Sequence, residues 1–167
     1  MATTYEAIAT VTVGSGGAAS IDFSSIPASY TDLLLVLSGR GTVSATYSQI
    51  SLKLNNSTSS FTNRELYADG SSVGSYTGTN GLGYMDGANA TANTFSNMQI
   101  YIPNYAGSTN KSYSVDNVYE NNATFAEMGL YAGLWSNTAA INQVTVYTIT
   151  GNFAQYSTAT LYGIKNS

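Results

Sequence analysis

The amino-acid sequence predicts an all-β protein, an antiparallel β-sandwich of jelly-roll-like topology with about eight to ten strands. Three observations carry that expectation. Apolar and polar residues alternate with a period of two along most of the chain. Clusters of Gly, Asn, Asp, Ser and Pro break the alternation at hairpin spacing. No segment keeps a helical period for a useful length, and the missing β-α-β rhythm argues against a parallel sheet. The 167 residues show no shift in composition, so 1–167 reads as a single β-sandwich domain, long enough to bury a core.

The elements follow in order. "YEAIATVTV" places Tyr5, Ala7, Ala9, Val11 and Val13 on one face and Glu6, Thr10 and Thr12 on the other, and "GSGG" ends it at 14–17. "SIDFSSIP" is a short piece leading to Pro27. "DLLLVLSGR" is apolar on both faces over 33–37, the mark of a central strand covered from both sides. In "SQISLKLNN", Ile50, Leu52 and Leu54 point inward, Ser51 and Lys53 outward, and Asn55 and Asn56 open a turn. "TNRELYADG" is a strand closing at the Asp69–Gly70 turn. Residues 71–93 are rich in Gly, Ser, Asn and Thr and read as a long surface loop with one short strand near 82–85. "TFSNMQIYIPNY" sets Met98, Ile100 and Ile102 against Asn97 and Gln99, and Pro103 ends it. "KSYSVDNVYE" alternates through Tyr113, Val115 and Tyr119; "AEMGLYAGLW", "INQVTVYTI" and "QYSTATLYGI" complete the set. "ATFAEM" at 123–128 is the best helical candidate and is too short to matter.

The residue types exclude most chemistry. With no cysteine there are no disulfides, and with no histidine there is no imidazole base, no Ser-His-Asp triad and few routes to a transition-metal site. Charged residues are 8% of the chain against roughly 25% in ordinary domains, and the net charge is −4. The cations Arg40, Lys53, Arg64, Lys111 and Lys165 are scattered, so neither a nucleic-acid footprint nor a polybasic membrane patch can be drawn. The run "LLLVL" is far too short to span a bilayer. The first residues lack a basic start and an apolar stretch, which predicts synthesis in a cytoplasm and use without export. The carboxylates closest in sequence, Glu65 with Asp69 and Asp116 with Glu120, stand four apart, about 13 Å along a strand and too far for glycosidase work. "DGAN" at 86–89 and "ADG" at 68–70 have oxygen ligands beside glycine, yet each is shorter than a calcium loop and reads as a turn. The expectation is a protein that is not an enzyme and holds no cofactor and no metal.

What remains is surface. Fourteen tyrosines among Ser, Thr, Asn and Gly give a face with little charge repulsion, the composition of adhesive interfaces. In the closing strand Thr158, Thr160, Tyr162 and Ile164 share one uncharged face, and Ala159, Leu161 and Gly163 the other. The terminal strands and loop tips are therefore the expected contact surfaces, with Tyr5, Trp135, Tyr156, Tyr162 and Ile164 as contact residues. Sugar recognition, in which rings stack and amides take hydroxyls, would draw on Trp135, Tyr131, Tyr84 and Tyr105.

Two stretches go further. "SIDFSSIPASYTDLLLVLSGRG" (20–41) and "LWSNTAAINQVTVYTITGNFAQYSTATLYGIKNS" (134–167) resemble a family of tailed-bacteriophage virion structural proteins found in phages of cyanobacteria and other aquatic bacteria. Its marks are "SIPASYTDL" and "YSTATLYGI". The resemblance implies a β-rich particle component without enzymatic activity. The expected role is a capsid decoration, or cement, protein: a homotrimer on the outer surface of the major capsid shell, made in the host cytoplasm. Its partners would be the major capsid protein or other virion proteins, not nucleic acid or membrane. The alternative is a tail-fibre or receptor-binding module that recognises host surface glycans with the loops of 71–93.

Overall fold

The computed structural model describes residues 4–122 and 125–165. Among them are twelve strands: β1 (Tyr5–Thr12), β2 (Ser20–Phe23), β3 (Asp32–Gly39), β4 (Tyr47–Leu54), β5 (Phe61–Ala68), β6 (Val73–Gly78), β7 (Gly81–Asp86), β8 (Ser96–Ile102), β9 (Lys111–Tyr119), β10 (Glu127–Trp135), β11 (Val144–Thr148) and β12 (Thr158–Ile164). They form an antiparallel β-sandwich of an eight-stranded sheet, β1-β12-β3-β8-β9-β10-β5-β6, and a four-stranded sheet, β2-β11-β4-β7.

The strand order contains a complete jelly roll. Strands β1 to β4 fall alternately in the large and the small sheet, and β7, β8, β11 and β12 retrace that alternation in reverse. This gives the two interlocked four-strand sets β1-β12-β3-β8 and β2-β11-β4-β7. Two hairpins are inserted: β5–β6 between β4 and β7, and β9–β10 between β8 and β11. They extend the large sheet by β9-β10-β5-β6, a wing that reaches past the small sheet's edge.

The expected alternation builds the core. Leu33, Leu35 and Leu37 of β3 and Met98, Ile100 and Ile102 of β8 meet Ile50, Leu52 and Leu54 of β4 and Val144 and Val146 of β11. Four expectations are corrected. Twelve strands replace eight to ten, because 71–93 is not a long loop: it holds β6 as well as the expected short strand, β7. In β1 the register slips between Ala7 and Ala9, and one extra residue reverses side-chain parity. Ile8 and Val11 therefore pack on the core, while Tyr5, Ala7 and Ala9 stay exposed. The central strand β3 is fully covered on one face only; on the other, Leu34 is half-buried between its register partners Tyr101 and Tyr162. Of the helical candidate at 123–128, Glu127 and Met128 open β10, and Ala123 and Thr124 lie outside the described residues.

The closing strand is not an edge either. β12 runs between β1 and β3. Its neighbour in space is the "SIPASYTDL" block: Thr31 N–H donates to Ile164 O at 2.8 Å, and Asp32 and Leu33 stand opposite Ile164 and Gly163. A Cβ on Gly163 would sit 2.3 Å from the Tyr30 ring, so only glycine lets that ring lie across the strand. The two stretches that carry the family resemblance thus pack on each other and close the large sheet.

Candidate functional site

The inner face of the wing forms one wall of a cleft. Asn63, Glu65 and Tyr67 of β5 and Glu127, Gly129 and Tyr131 of β10 share that face, and Tyr76 of β6 stands opposite Glu65. The other wall is β7, the edge of the small sheet. Its unpaired backbone groups are taken by amides from the large sheet. Asn117 Nδ2 donates to Tyr84 O at 2.9 Å, and Asn117 Oδ1 accepts from Tyr84 N–H at 3.1 Å. Asn63 Nδ2 donates to Gly81 O at 2.7 Å. Two side chains thereby do what a further strand would do for an edge. Gly83, at φ +108°, permits the approach: a Cβ there would lie 2.4 Å from Asn117 Oδ1.

The cleft has two chambers that share Glu65, Tyr76 and Tyr84. The larger, about 440 Å³, is polar and uncharged apart from Glu65, with Gln49, Asn63, Thr77 and Tyr131 on its walls. The smaller, about 310 Å³, is aromatic and acidic, with Tyr47, Tyr67, Asp69, Phe125 and Glu127. Its rings form a chain: the Tyr47 ring lies 5.1 Å from Tyr84 and 5.1 Å from Phe125. Tyr119 stands behind, 5.7 Å from Phe125 and 6.0 Å from Tyr84.

The carboxylates differ in setting. Glu127 is 8% exposed, and its Oε1 has no hydrogen-bond partner. Burial first, then the charges of Glu65 and Asp69, push its pKa up to about 7. Glu65 accepts a hydrogen bond from the Tyr131 hydroxyl. Burial and that bond push the Tyr131 phenol well above its ordinary range. Asp69 is at the surface, where the N–H groups of Ser71 (2.9 Å) and Ser72 (2.7 Å) donate to Oδ1 and lower its pKa to about 2. The arrangement presents acid oxygens and π faces to whatever enters, chemistry suited to a cation or to ligand hydroxyls.

The sequence-derived residues are only partly brought together. Tyr84 and Tyr131 meet in the larger chamber. Trp135 and Tyr105 do not join them and are corrected as sugar platforms. Trp135 is 1% exposed and stacks on Phe61 at 6.0 Å, and the buried Tyr105 donates its hydroxyl to Pro27 O. The five contact residues do not form one face. Tyr5 is exposed on β1, and Tyr156 is exposed in the turn at the far end of β12. Tyr162 is half-buried. Trp135 and Ile164 are corrected as contact residues because both are buried: Trp135 points inward on β10, and the segment before β3 closes over Ile164. Glu65 and Asp69 reach one chamber because Asp69 lies beyond the strand end, whereas Asp116 points outward and Glu120 accepts from Asn122 N–H at 2.7 Å. The "DGAN" turn and the segment after it are held by a cation of the chain itself: the Arg40 guanidinium donates to Ala88 O (3.3 Å), Ala90 O (3.0 Å), Thr91 O (2.8 Å) and Thr94 O (3.0 Å). Among the described residues no group of three acids is placed to hold a metal ion.

Glu127, Tyr47, Tyr76, Asn63 and Asn117 escaped sequence reasoning. A signal was present, since Asn63, Glu65, Asn117 and Glu127 are polar residues on the phase that points inward.

The outer face of the wing is the reverse. In register, Val118, Met128, Ala68 and Val73 form one row, and Leu130 and Leu66 stand side by side in the next. Exposure is 37% for Val118, 56% for Met128, 74% for Val73, 53% for Leu130 and 54% for Leu66. Among the described residues no helix is long and apolar enough to cross a membrane.

No protein-family model matches the chain. No curated protein matches it. Among solved structures it is similar to galectin LEC-6 of Caenorhabditis elegans, at 10% identity over 95% of this chain and 90% of that one, with a TM-score of 0.27. It is also similar to a fructofuranosidase from Schwanniomyces occidentalis complexed with fructose, at 8% identity and a TM-score of 0.30. That match covers 99% of this chain, which spans only 35% of the length of the enzyme. Similarity at this level carries no statement about function.

Proposed function

We propose that the chain is a structural component of a tailed-phage particle, a capsid decoration protein that docks on the outer surface of the major capsid shell as a homotrimer. The observation that carries this reading is the apolar band on the outer face of the wing. Leu66, Val73, Val118, Met128 and Leu130 are contiguous across four strands and at least one-third exposed. A band of this kind marks an interaction surface, and the low charge around it does little to repel a partner. The resemblance of 20–41 and 134–167 to phage virion proteins supplies the kind of partner. Purified protein is expected to co-sediment with shells stripped of decoration and to raise their heat resistance. A Leu66→Asp, Leu130→Asp variant is expected to remain folded and to stay in the supernatant. Equal binding by that variant, or density for this chain confined to the tail in cryo-EM of the particle, overturns the reading.

A second reading rests on the larger chamber. Tyr76, Tyr84 and Tyr131 with Gln49 and Asn63 supply the rings and amides that glycan recognition uses, as in a receptor-binding module of a tail fibre. It predicts binding to host surface polysaccharide that Tyr76→Ala abolishes and the Leu66, Leu130 variant retains.

A further inference from the structure

The smaller chamber carries an inference of its own. Its two buried carboxylates, Glu65 and Glu127, are held on neighbouring strands, with Asp69 at the mouth. Among the described residues no Lys or Arg lines the chamber, and the ion pair found among them is Lys165 with Glu6, just past β12 and on β1. Glu127 is more than nine-tenths buried, and its Oε1 lacks a hydrogen-bond partner, a costly state for a charged group. The approach to it is walled by the rings of Tyr47, Tyr76, Tyr84 and Phe125. Ring faces attract cations and suit a methylene stem; carboxylates at the end of such a passage suit a positive head.

We propose that this chamber binds an alkylammonium group, the ε-ammonium of a lysine side chain on a partner protein, with Glu127 and Glu65 as its counter-charges and Tyr76 and Tyr84 against its stem. The charge of the site excludes anions, and its two carboxylates favour a positive head over a neutral hydroxyl. The proposal does not depend on which macromolecule the wing docks to, and its test uses the isolated protein.

Isotope-labelled protein is titrated with Nα-acetyl-lysine methylamide and, separately, with Nα-acetyl-norleucine methylamide, glucosamine and glucose, and binding is followed by NMR. The lysine derivative is expected to bind saturably in the millimolar range, with shifts centred on Tyr76, Tyr84 and Phe125. The uncharged norleucine derivative is expected to bind about tenfold more weakly, and Glu127→Gln to weaken the lysine derivative by a similar factor. Should Glu127→Gln fail to fold, Tyr76→Ala, on an exposed edge-strand ring, is expected to weaken it about fivefold. Equal binding of the norleucine derivative, preference for either sugar, or a Tyr76→Ala affinity equal to that of the unaltered protein overturns the proposal.

Discussion

The jelly-roll half and the part of β5 and β10 that lines the cleft use the same alternation with opposite polarity. In β3 and β8 the inward positions are Leu33, Leu35, Leu37, Met98, Ile100 and Ile102, and the outward ones include Ser38, Asn97 and Gln99. In β5 and β10 the inward phase carries Asn63, Glu65, Glu127 and Gly129, while Leu66, Met128 and Leu130 point to solvent. The first arrangement is what burial dictates for a sheet with one covered face. The second holds beside the cleft: the small sheet ends at β7, so there the inner face meets an opening, while Phe61, Tyr113, Val115 and Trp135 of the wing still join the core. The jelly roll spends its side chains on folding; the wing is free to spend them on contact.

That contrast is broken most directly at the centre of the jelly roll. Leu35 is 1% exposed, between Leu161 and Ile100 in register. Leu35→Ala is expected to cost about 2–5 kcal/mol by chemical denaturation, through lost burial and the cavity left behind. A cost below about 1 kcal/mol would show that the jelly roll is not the folding half. Gly163→Ala is expected to cost about 1–3 kcal/mol, because its methyl must displace the Tyr30 ring or the strand beneath it.

The position of Gly163 explains how far the sequence could be read. Alternation predicts most of the strands, because apolar runs such as Ile50, Leu52 and Leu54 point one way in any sandwich. β6 was hidden because "VGSYTG" buries neither face and has no apolar phase to read. The sequence points to the two end strands and the loop tips as contact faces, because the end strands look sticky in one dimension. Pairing decides exposure, and β12 is paired on both sides. The resemblance blocks proved to be fold-closing residues, Tyr30 against Gly163 and Thr31 against Ile164, so they mark a fold more strongly than a role. The cleft was the least legible part. It is assembled from the β5–β6 hairpin with β7 and β10, and nothing in the sequence spacing brings β10 or β7 to that hairpin. Its only trace in one dimension was a set of polar residues on an inward phase.

Asn117 tests whether the wing is tied to the jelly roll by that polar phase. Its amide makes two bonds to Tyr84, and it is fully buried. Asn117→Ala is expected to cost about 1–3 kcal/mol, and faster amide exchange at Tyr84 should show the β7 edge opening first. Asn117→Leu, which fills the volume, should be no better if the bonds rather than the packing matter.

Glu127 gives a smaller effect with a definite sign. Its pKa rises from 4.5 to about 7 on folding, so the folded state holds the proton more tightly than the unfolded one. Stability from this group is complete below about pH 4.5 and is lost as pH rises through about 7. Glu127→Gln should therefore match the unaltered protein near pH 5 and exceed it at pH 8 by about 1–2 kcal/mol. Thermal melts across that range check it, and a constant difference between the two proteins would remove Glu127 as the titrating group.

The smallest expected effect sharpens the comparison most. Leu130 stands beside Leu66 and is 53% exposed. If the outer face of the wing serves contact and not folding, Leu130→Ser removes little buried area and should change stability by less than about 0.5 kcal/mol. The same change in a jelly-roll leucine costs several times more. A large loss would mean that the band is covered within the protein's own assembly, so the measurement is made at two protein concentrations tenfold apart. Mass action then separates the cases: a cost set by the fold is the same at both, whereas a cost set by contact between copies grows with concentration. A null result at both, with loss of shell binding, leaves the band as a surface kept apolar for a partner.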